Sequence, residues 1–572
     1  MSPLVLRLAL LSGLVAAGLS ATSIIAWKFG FDPALGEPLA WRFYRPWAAV
    51  GWWEAWGHAE PYRRPFLSGL SLVAFVLILP MMAVRLLQMY GPLSLNTRST
   101  NAGLSTPHDI RKSENIRTKG NGVVIGATGR WPWSPVLRDT GDGHVLIMGP
   151  ARSGKGVGHV VPTLLAHEGS MLVIDPKREL HAIAGRRCHE IGPVFVVDPT
   201  AETTARVNPV LELRPGRHLI GDCQTMATML AYSGQGEGRG GSSEDWSAAA
   251  ADLVTTLLYH VRTSDDPTLA HLARLLQDVR SDRYPTKPSE YVRRNLDAHR
   301  ALYPKVRDSV NFTLRTRLAF LDDPLIQHVT GGSDFRPGDL MAAPEPMTVF
   351  LSVPSSQRLR LRPLTRLLLQ AFWAPMTDDL GVVMDGRSKR RPCLALIDEF
   401  PQLGRMDVLE HGIADCAGYG LRVALVCQSV AQIKTAYGAS QSITDNCSTI
   451  CVIPGFNGAS LDEMSKWAGQ HTIANASKQH SMGLKGSSSM SESEARIAVL
   501  NARDMLSRNV NEVLVFKHGL PPGWLRKVRY FKHRSFRGMF DPATLPAPQP
   551  AEEITLPTTT KEMPPWLLTH HS

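Results

Sequence analysis

The chain has 572 residues, 44% hydrophobic and 20% charged, with 62 Lys and Arg against 51 Asp and Glu and a formal charge of +11. That length predicts two or three domains, and 47 Gly with 41 Pro is near ordinary usage, which excludes wholesale disorder. Seven Cys without a CxxC exclude a secreted disulfide scaffold and fit small buried hydrophobes in a reducing compartment; the basic balance suggests an acidic partner, nucleic acid or anionic lipid.

The first ninety residues differ from the rest. Leu8 to Trp27 carries no charge and as a helix would span roughly 30 Å, the hydrocarbon thickness of a bilayer. A second uncharged run, Phe66 to Val84, stops at Arg85. These runs predict membrane helices at about 8–27 and 66–87, with 1–90 as the anchor. A cleaved signal peptide is the competing reading of the first run, but it is longer than a usual signal core and a second span follows. Between them lie Trp27, Trp41, Trp47, Trp52, Trp53 and Trp56, a density suited to a membrane–water boundary. Arg42, Arg45, Arg63 and Arg64 in the loop offset the basic residues after the second span, so charge alone does not orient the anchor. A nucleotide site further on needs the cytoplasm, and two spans then place both termini there.

From about residue 120, short apolar runs end abruptly in a polar residue or Gly. They are Val145–Met148, Met171–Ile174, Val194–Val197, Thr348–Leu351, Leu394–Ile397, Val423–Cys427, Thr449–Ile453 and Glu512–Phe516. Runs apolar throughout suit strands buried on both faces, as in a parallel sheet covered by helices. Residues 215–335 interrupt the pattern with helical stretches at Trp246–Val261, Leu269–Val279, Tyr291–Leu302 and Val306–Asp322, read as an inserted all-helical domain. The flanking segments 91–214 and 336–541 form the α/β domain. A Gly-rich loop at 234–241, a mobile surface loop at Ser477–Ser493 and a Pro-rich flexible tail at 542–572 complete the chain.

Gly149-Pro-Ala-Arg-Ser-Gly-Lys155-Gly156 fits G-x-x-x-x-G-K after an apolar strand. Glycines let backbone N–H groups curl round phosphates while Lys155 meets the β and γ phosphates. The motif usually closes with a Ser or Thr that ligates Mg²⁺; here Gly156 stands in that place, and Pro162 predicts a kinked or late helix. The loop residues proposed to hold ATP are Gly149, Ala151, Arg152, Ser153, Gly154, Lys155, Gly156 and Val157. A second strand ends in Asp398-Glu399, 243 positions after Lys155: Asp398 suits Mg²⁺ and Glu399 suits activation of the attacking water. Together the two halves predict a P-loop nucleotide hydrolase. Gln428, ending a third strand, is a candidate for orienting water or sensing the γ-phosphate, though a strand-end amide often bonds only backbone. Asp175 is divided between a helix cap and a role near the nucleotide. No HExxH, G-x-S-x-G or zinc spacing occurs.

Several stretches in order resemble a known family, the coupling proteins of type IV secretion and conjugation, or TraG-like ATPases. They are Gly149 to Gly158 with Val161-Pro-Thr-Leu-Leu165, Val173-Ile-Asp-Pro-Lys-Arg-Glu-Leu180, Asn208-Pro209, Asp398-Glu-Phe-Pro-Gln-Leu-Gly404, and Gln428-Ser with Gln432 and Tyr437-Gly438. The resemblance runs from roughly 100 to 540. It implies a RecA-like motor domain with an all-helical domain, assembled as a homo-hexamer at the inner membrane. It also implies recruitment of a relaxase–single-stranded DNA complex or protein effectors to a type IV secretion channel, with ATP and Mg²⁺ as cofactors. By position, Lys155 binds phosphate, Asp398 serves Mg²⁺, Glu399 is the base and Gln428 contacts the γ-phosphate. An arginine finger known from a related ring ATPase falls on Ala417, leaving Arg405 and Arg422 as candidates. Net charge and resemblance together predict binding of DNA without sequence preference. A docking receptor whose nucleotide site only controls assembly, and a double-stranded DNA pump, are the alternatives to the motor.

Overall fold

The computed structural model describes residues 19–39, 42–60, 63–64, 66–67, 103–232, 242–281, 283, 285, 287–456, 458–480 and 488–542. It divides into two compact units, 1–102 and 103–572. Most of both expected membrane spans, the Gly-rich loop at 234–241 and nearly all of the tail at 542–572 lie outside the described residues. Among those described, no helix is long and apolar enough to cross a membrane.

In the first unit, residues 19–28 are helical and a second helix covers Ala48–Trp56. A small core of Ile25, Ala26, Leu35, Tyr44, Trp52 and Phe66 holds it together, and the Trp52 indole donates to the Leu35 carbonyl at 3.0 Å. The Trp-rich loop therefore uses some of its rings as core, while Trp27 and Trp47 are each 66% exposed.

The second unit is built on a twelve-stranded sheet. Its strands in chain order are β1 (Ile116–Arg117), β2 (Val123–Ala127), β3 (Val136–Asp139), β4 (His144–Met148), β5 (Ser170–Ile174), β6 (Val194–Val197), β7 (Thr348–Leu351), β8 (Cys393–Ile397), β9 (Leu421–Cys427), β10 (Cys447–Val452), β13 (Glu512–Lys517) and β14 (Leu520–Arg526). β11 (Gln470–His480) and β12 (Ser488–Ala498) pair with each other as a separate antiparallel ribbon. The sheet order is β1-β3-β2-β14-β13-β10-β4-β9-β8-β5-β7-β6. From β10 to β6 every neighbour is parallel. All eight apolar runs read from the sequence fall on strands. Successive residues enter opposite cores: Leu146 and Met148 face one, Val145 and Ile147 the other. That is why these strands are apolar at every position.

Two readings need correction. Glu512–Phe516 is a strand, but antiparallel to β10, and a two-residue turn at His518-Gly519 (Gly519 φ 79°) then folds the chain back into β14. The loop expected at Ser477–Ser493 is largely paired: residues 477–480 and 488–493 belong to the β11–β12 ribbon. The residues of these two strands are mostly polar, which leaves no apolar period to read.

Between β6 and β7, which are neighbours in the sheet, the chain makes helices at Leu219–Ala231, Ser242–Thr263, Leu269–Arg280, Glu290–Arg300, Pro304–Arg317 and Pro324–Thr330. Local signals start several of them. The Thr268 hydroxyl accepts from the His271 N–H and Asp323 accepts from the Leu325 N–H, satisfying first-turn donors. Their apolar faces, including Leu230, Leu253, Leu257 and Leu272, share one core with Leu146, Met148 and Ile174 of the sheet. All seven Cys are buried and free.

Candidate functional site

The loop after β4 closes on itself. Arg152 and Gly154 take left-handed backbone (φ 60° and 87°), which turns the chain back over the strand end. The Lys155 ammonium donates to the carbonyls of Gly149 at 2.6 Å and Pro150 at 3.2 Å. Burial pushes this amine below its ordinary range, opposed most by Asp398 and then by Cys427 and Glu399. The Ser153 hydroxyl is buried inside the curl without a hydrogen-bond partner. A cation bound only to loop carbonyls and an unpartnered hydroxyl inside a ring of backbone fit an anion such as a phosphate chain. Across the loop, the Lys527 ammonium donates to the Ser153 carbonyl at 2.7 Å.

The expected irregularity at Pro162 is present. Gly156–Val160 form a wide π turn, and the α-helix proper starts at Val161 with Pro162 in its first turn, where a missing N–H costs nothing. Two side chains from this segment dock it onto β2. His159 Nδ1 donates to the Val124 carbonyl at 2.8 Å, and the Val124 N–H donates to the Thr163 hydroxyl at 2.9 Å.

Asp398 and Glu399 follow β8. Burial raises the Asp398 carboxyl to about 6, with Glu399 adding to the effect against the pull of Lys177 and Lys155. Glu399 has left-handed backbone (φ 50°), an uncommon conformation for a non-Gly residue, and its N–H donates to Asp398 Oδ1 at 3.0 Å. Each Glu399 oxygen faces a cation: Oε1 lies 3.5 Å from Lys177 Nζ and Oε2 lies 3.5 Å from an Arg358 guanidinium nitrogen. Burial works against a charged Lys177, but Glu399 and Asp398 outweigh it and hold the ammonium above its ordinary value.

Strand order joins these pieces. β9 lies between β4 and β8, so the 149–156 loop, Gln428 and the Asp398–Glu399 pair stand at the carboxyl ends of three adjacent parallel strands. Such ends are where open α/β sheets bind ligands. The Gly149 N–H reaches the Cys427 carbonyl at 3.4 Å, and the Gln428 N–H donates to the Gln432 side chain at 3.0 Å. No group of three or more His, Cys, Asp or Glu could hold a metal among the described residues. A single carboxylate such as Asp398 with phosphate oxygens is how Mg²⁺ is commonly held, so the donor set fits that ion.

Other candidates have structural partners. Asp175 caps the helix Glu179–Ile191, accepting from the N–H groups of Leu180 at 2.9 Å and His181 at 3.2 Å. Arg422 sits at the opposite, amino-terminal end of β9, paired to buried Asp139 at 2.9 Å, which removes it as a finger for its own chain's site. Arg405 is paired with Glu410 at 2.7 Å. Lys177, Arg358 and Lys527 were not assigned from the sequence. Lys177 had a legible signal, a Lys just after an apolar strand; Arg358 and Lys527 had none, since only tertiary folding brings them here.

The family model described as type IV secretory system conjugative DNA transfer matches residues 100–559. A conjugal transfer protein TraG of Escherichia coli is 28% identical over 97% of this chain and 95% of its own length. A protein VirD4 of Agrobacterium fabrum is 26% identical over 75% of this chain and 65% of its own. Among solved structures, the plasmid coupling protein TrwB in complex with ADP and Mg²⁺ aligns with a TM-score of 0.55 at 17% identity, over 74% of this chain and 92% of that one, and so shares its α/β fold. With the loop, the acidic strand end and the matched span in agreement, the chain belongs to the family of type IV secretory system conjugative DNA transfer proteins.

Proposed function

We propose that the chain is an inner-membrane coupling ATPase. It brings a relaxase–single-stranded DNA complex or protein effectors to a type IV secretion channel and uses ATP hydrolysis to drive their transfer. The observation that carries this reading is the convergence of Lys155, Gln428, Asp398 and Glu399 on three neighbouring strand ends. The family supplies the transfer system, and TrwB, whose fold is shared, is known with ADP and Mg²⁺ and with a non-hydrolysable ATP analogue.

In this reading the loop N–H groups of Ala151 to Val157 hold phosphate oxygens, and Lys155 exchanges its loop carbonyls for them. Asp398 holds Mg²⁺, which supplies charge neutralisation for the phosphates when bound. Glu399 takes the proton of the attacking water at a carboxylate oxygen. Both oxygens face cations at 3.5 Å, so that water is taken up beside Lys177 and Arg358. Gln428 orients the water from the intervening strand. Net charge and family favour a homo-hexamer that binds DNA without sequence preference. Two membrane spans near 8–27 and 66–87 put both termini in the cytoplasm. A cysteine placed near Gly57 should then react with a membrane-impermeant thiol reagent in permeabilised-envelope cells, while one near Ser113 stays protected.

Glu399→Gln tests the motor. It should retain ATP binding, lose hydrolysis by a factor on the order of 10² to 10⁴, and abolish donor-to-recipient transfer. Normal transfer with hydrolysis abolished would replace the motor by the docking receptor.

A further inference from the structure

The helical insertion leaves the sheet at β6 and β7, one edge; β1, β3 and β2, the first strands of the second unit, form the other. Twelve strands at about 4.8 Å separation put roughly 50 Å between these edges. At the far edge, the loop between β2 and β3 holds two indoles on the surface: Trp131 is 54% exposed and Trp133 61%. The segment 529–537 packs against this loop. The Arg534 N–H donates to the Pro132 carbonyl at 2.9 Å, and the His533 ring donates to the Ser134 carbonyl at 3.0 Å. It adds a third surface ring, Phe531, 49% exposed. Together the segments 128–135 and 529–537 contain Arg130, Arg529, Lys532, Arg534 and Arg537 and no Asp or Glu. The loop is rigid at its tip, where the Trp131 N–H donates to the Ser134 hydroxyl at 3.2 Å.

We propose that this corner docks on an anionic bilayer surface, with the indole edges and Phe531 in the headgroup layer and the cations against lipid phosphates. Indoles concentrate at membrane–water boundaries, and basic clusters beside an anchor bind anionic leaflets. The proposal rests on the reading of 1–90 as a membrane anchor. The expected second span ends near 87 and the second unit opens at Gly103, so about fifteen residues tether it, a reach of at most about 50 Å. Ser105 bridges to Gly523 of β14, three residues before Arg526, which pairs with Ala127 at the root of the aromatic loop. At about 3.3 Å per residue and one strand spacing, the root lies within about 15 Å of where the tether arrives. A bilayer holding the anchor is therefore within reach of the corner. Nucleic acid is the rival for a basic aromatic surface, but it needs free ring faces. Trp131 is stacked on Trp133 with centroids 5.4 Å apart, Arg130 lies over Trp131, and Arg534 lies over Trp133. Each ring thus already has a ring and a guanidinium against it, and what remains open is its edge.

The test uses the full-length protein in lipid nanodiscs. All seven native Cys are buried, so Ser535→Cys, on the exposed surface beside Arg534, takes an environment-sensitive fluorophore selectively. In discs containing phosphatidylglycerol the emission should shift to the blue and be quenched by brominated acyl chains; in discs of phosphatidylcholine alone it should stay close to that in water. Added Lys532→Gln should lower the docked-to-undocked ratio about fivefold, the scale of one cation at an anionic surface. Trp131→Ser with Trp133→Ser should abolish the quenching while ATP binding persists. Water-like emission in both discs would overturn the proposal, as would quenching that ignores lipid charge. Shielding that brominated lipid does not quench would overturn it and give the surface to a second copy. Shielding only on adding a single-stranded oligonucleotide would give it to nucleic acid. A chain that enters neither kind of disc would instead sink the anchor, and the docking surface with it.

Discussion

One strand, β9, runs between two charged clusters that behave in opposite ways. At its start, Asp139 is 1% exposed and is met by Arg422 at 2.9 Å, Lys517 at 3.1 Å and the Thr449 hydroxyl. Burial alone would raise the Asp139 carboxyl, yet Arg422, Thr449 and Lys517 together hold it below its ordinary value. At its far end, Asp398 is raised to about 6, both contacts to Glu399 are long, and the Ser153 hydroxyl lacks a partner. Both clusters belong to the same sheet, the first closed from water and the second open to it at Lys177, whose side chain is 49% exposed. The first satisfies its own charge and so serves the fold. The second leaves capacity unspent, which is the signature of a site that completes itself with a ligand.

The sharpest way to break this contrast is to delete a partner at the satisfied end. Arg422→Ala leaves buried Asp139 with Lys517 as its remaining cation and strips the Gly143 and Asp139 carbonyls of their guanidinium donor; it should cost about 3–5 kcal/mol in denaturant unfolding, with ATP affinity of the remaining folded protein little changed. A stable variant that has lost hydrolysis would make Arg422 a catalytic finger after all.

Midway in size is a buried group that links the loop segment to β2. Burial holds the His159 imidazole at about 4, so between pH 6.5 and 4 the unfolded chain binds a proton that the folded chain refuses. Stability at this group is therefore intact above pH 6.5 and falls as pH drops through that window. His159→Gln, which can still donate to the Val124 carbonyl, should remove on the order of 3 kcal/mol of that fall. His167, also held at about 4, contributes separately. Unfolding midpoints measured from pH 7 to 4 check this; an unaltered slope in the variant would assign the acid sensitivity elsewhere.

The smallest effect on stability belongs to the unsatisfied end. Lys155→Ala should weaken ATP binding about tenfold to a hundredfold, the scale of a charge-assisted contact. It should cost the fold less than Arg422→Ala, because its only fixed partners are two loop carbonyls. If instead the fold collapses while ATP binding persists, the two clusters have exchanged roles.

Much of this molecule was legible in one dimension. Strands buried on both faces must be apolar at every position, so β4 to β10 announced themselves without an alignment, and the polar residue closing each run marked where a ligand binds. Pro162 foretold the broken helix start, because a ring nitrogen has no proton to donate. β14 did not announce itself: Leu520-Pro-Pro-Gly-Trp-Leu-Arg526 carries two Pro and a Gly, residues that argue against a strand unless it lies where its N–H groups are not needed.

The sequence by itself determined which residues have the chemistry, since a carboxylate, an ammonium and a Gly-rich loop are local facts of covalent structure. Only the tertiary structure decided which of them meet. Strand order brought Gln428 between Lys155 and Asp398 and carried Arg422 to the wrong end of the same strand. It also brought Lys177 and Arg358 to Glu399, and Lys527 to Ser153 across 374 positions of chain. Side-chain period along a strand is local, but the neighbour of a strand is chosen by crossover helices and the burial of two whole faces, and no short stretch of sequence encodes that choice.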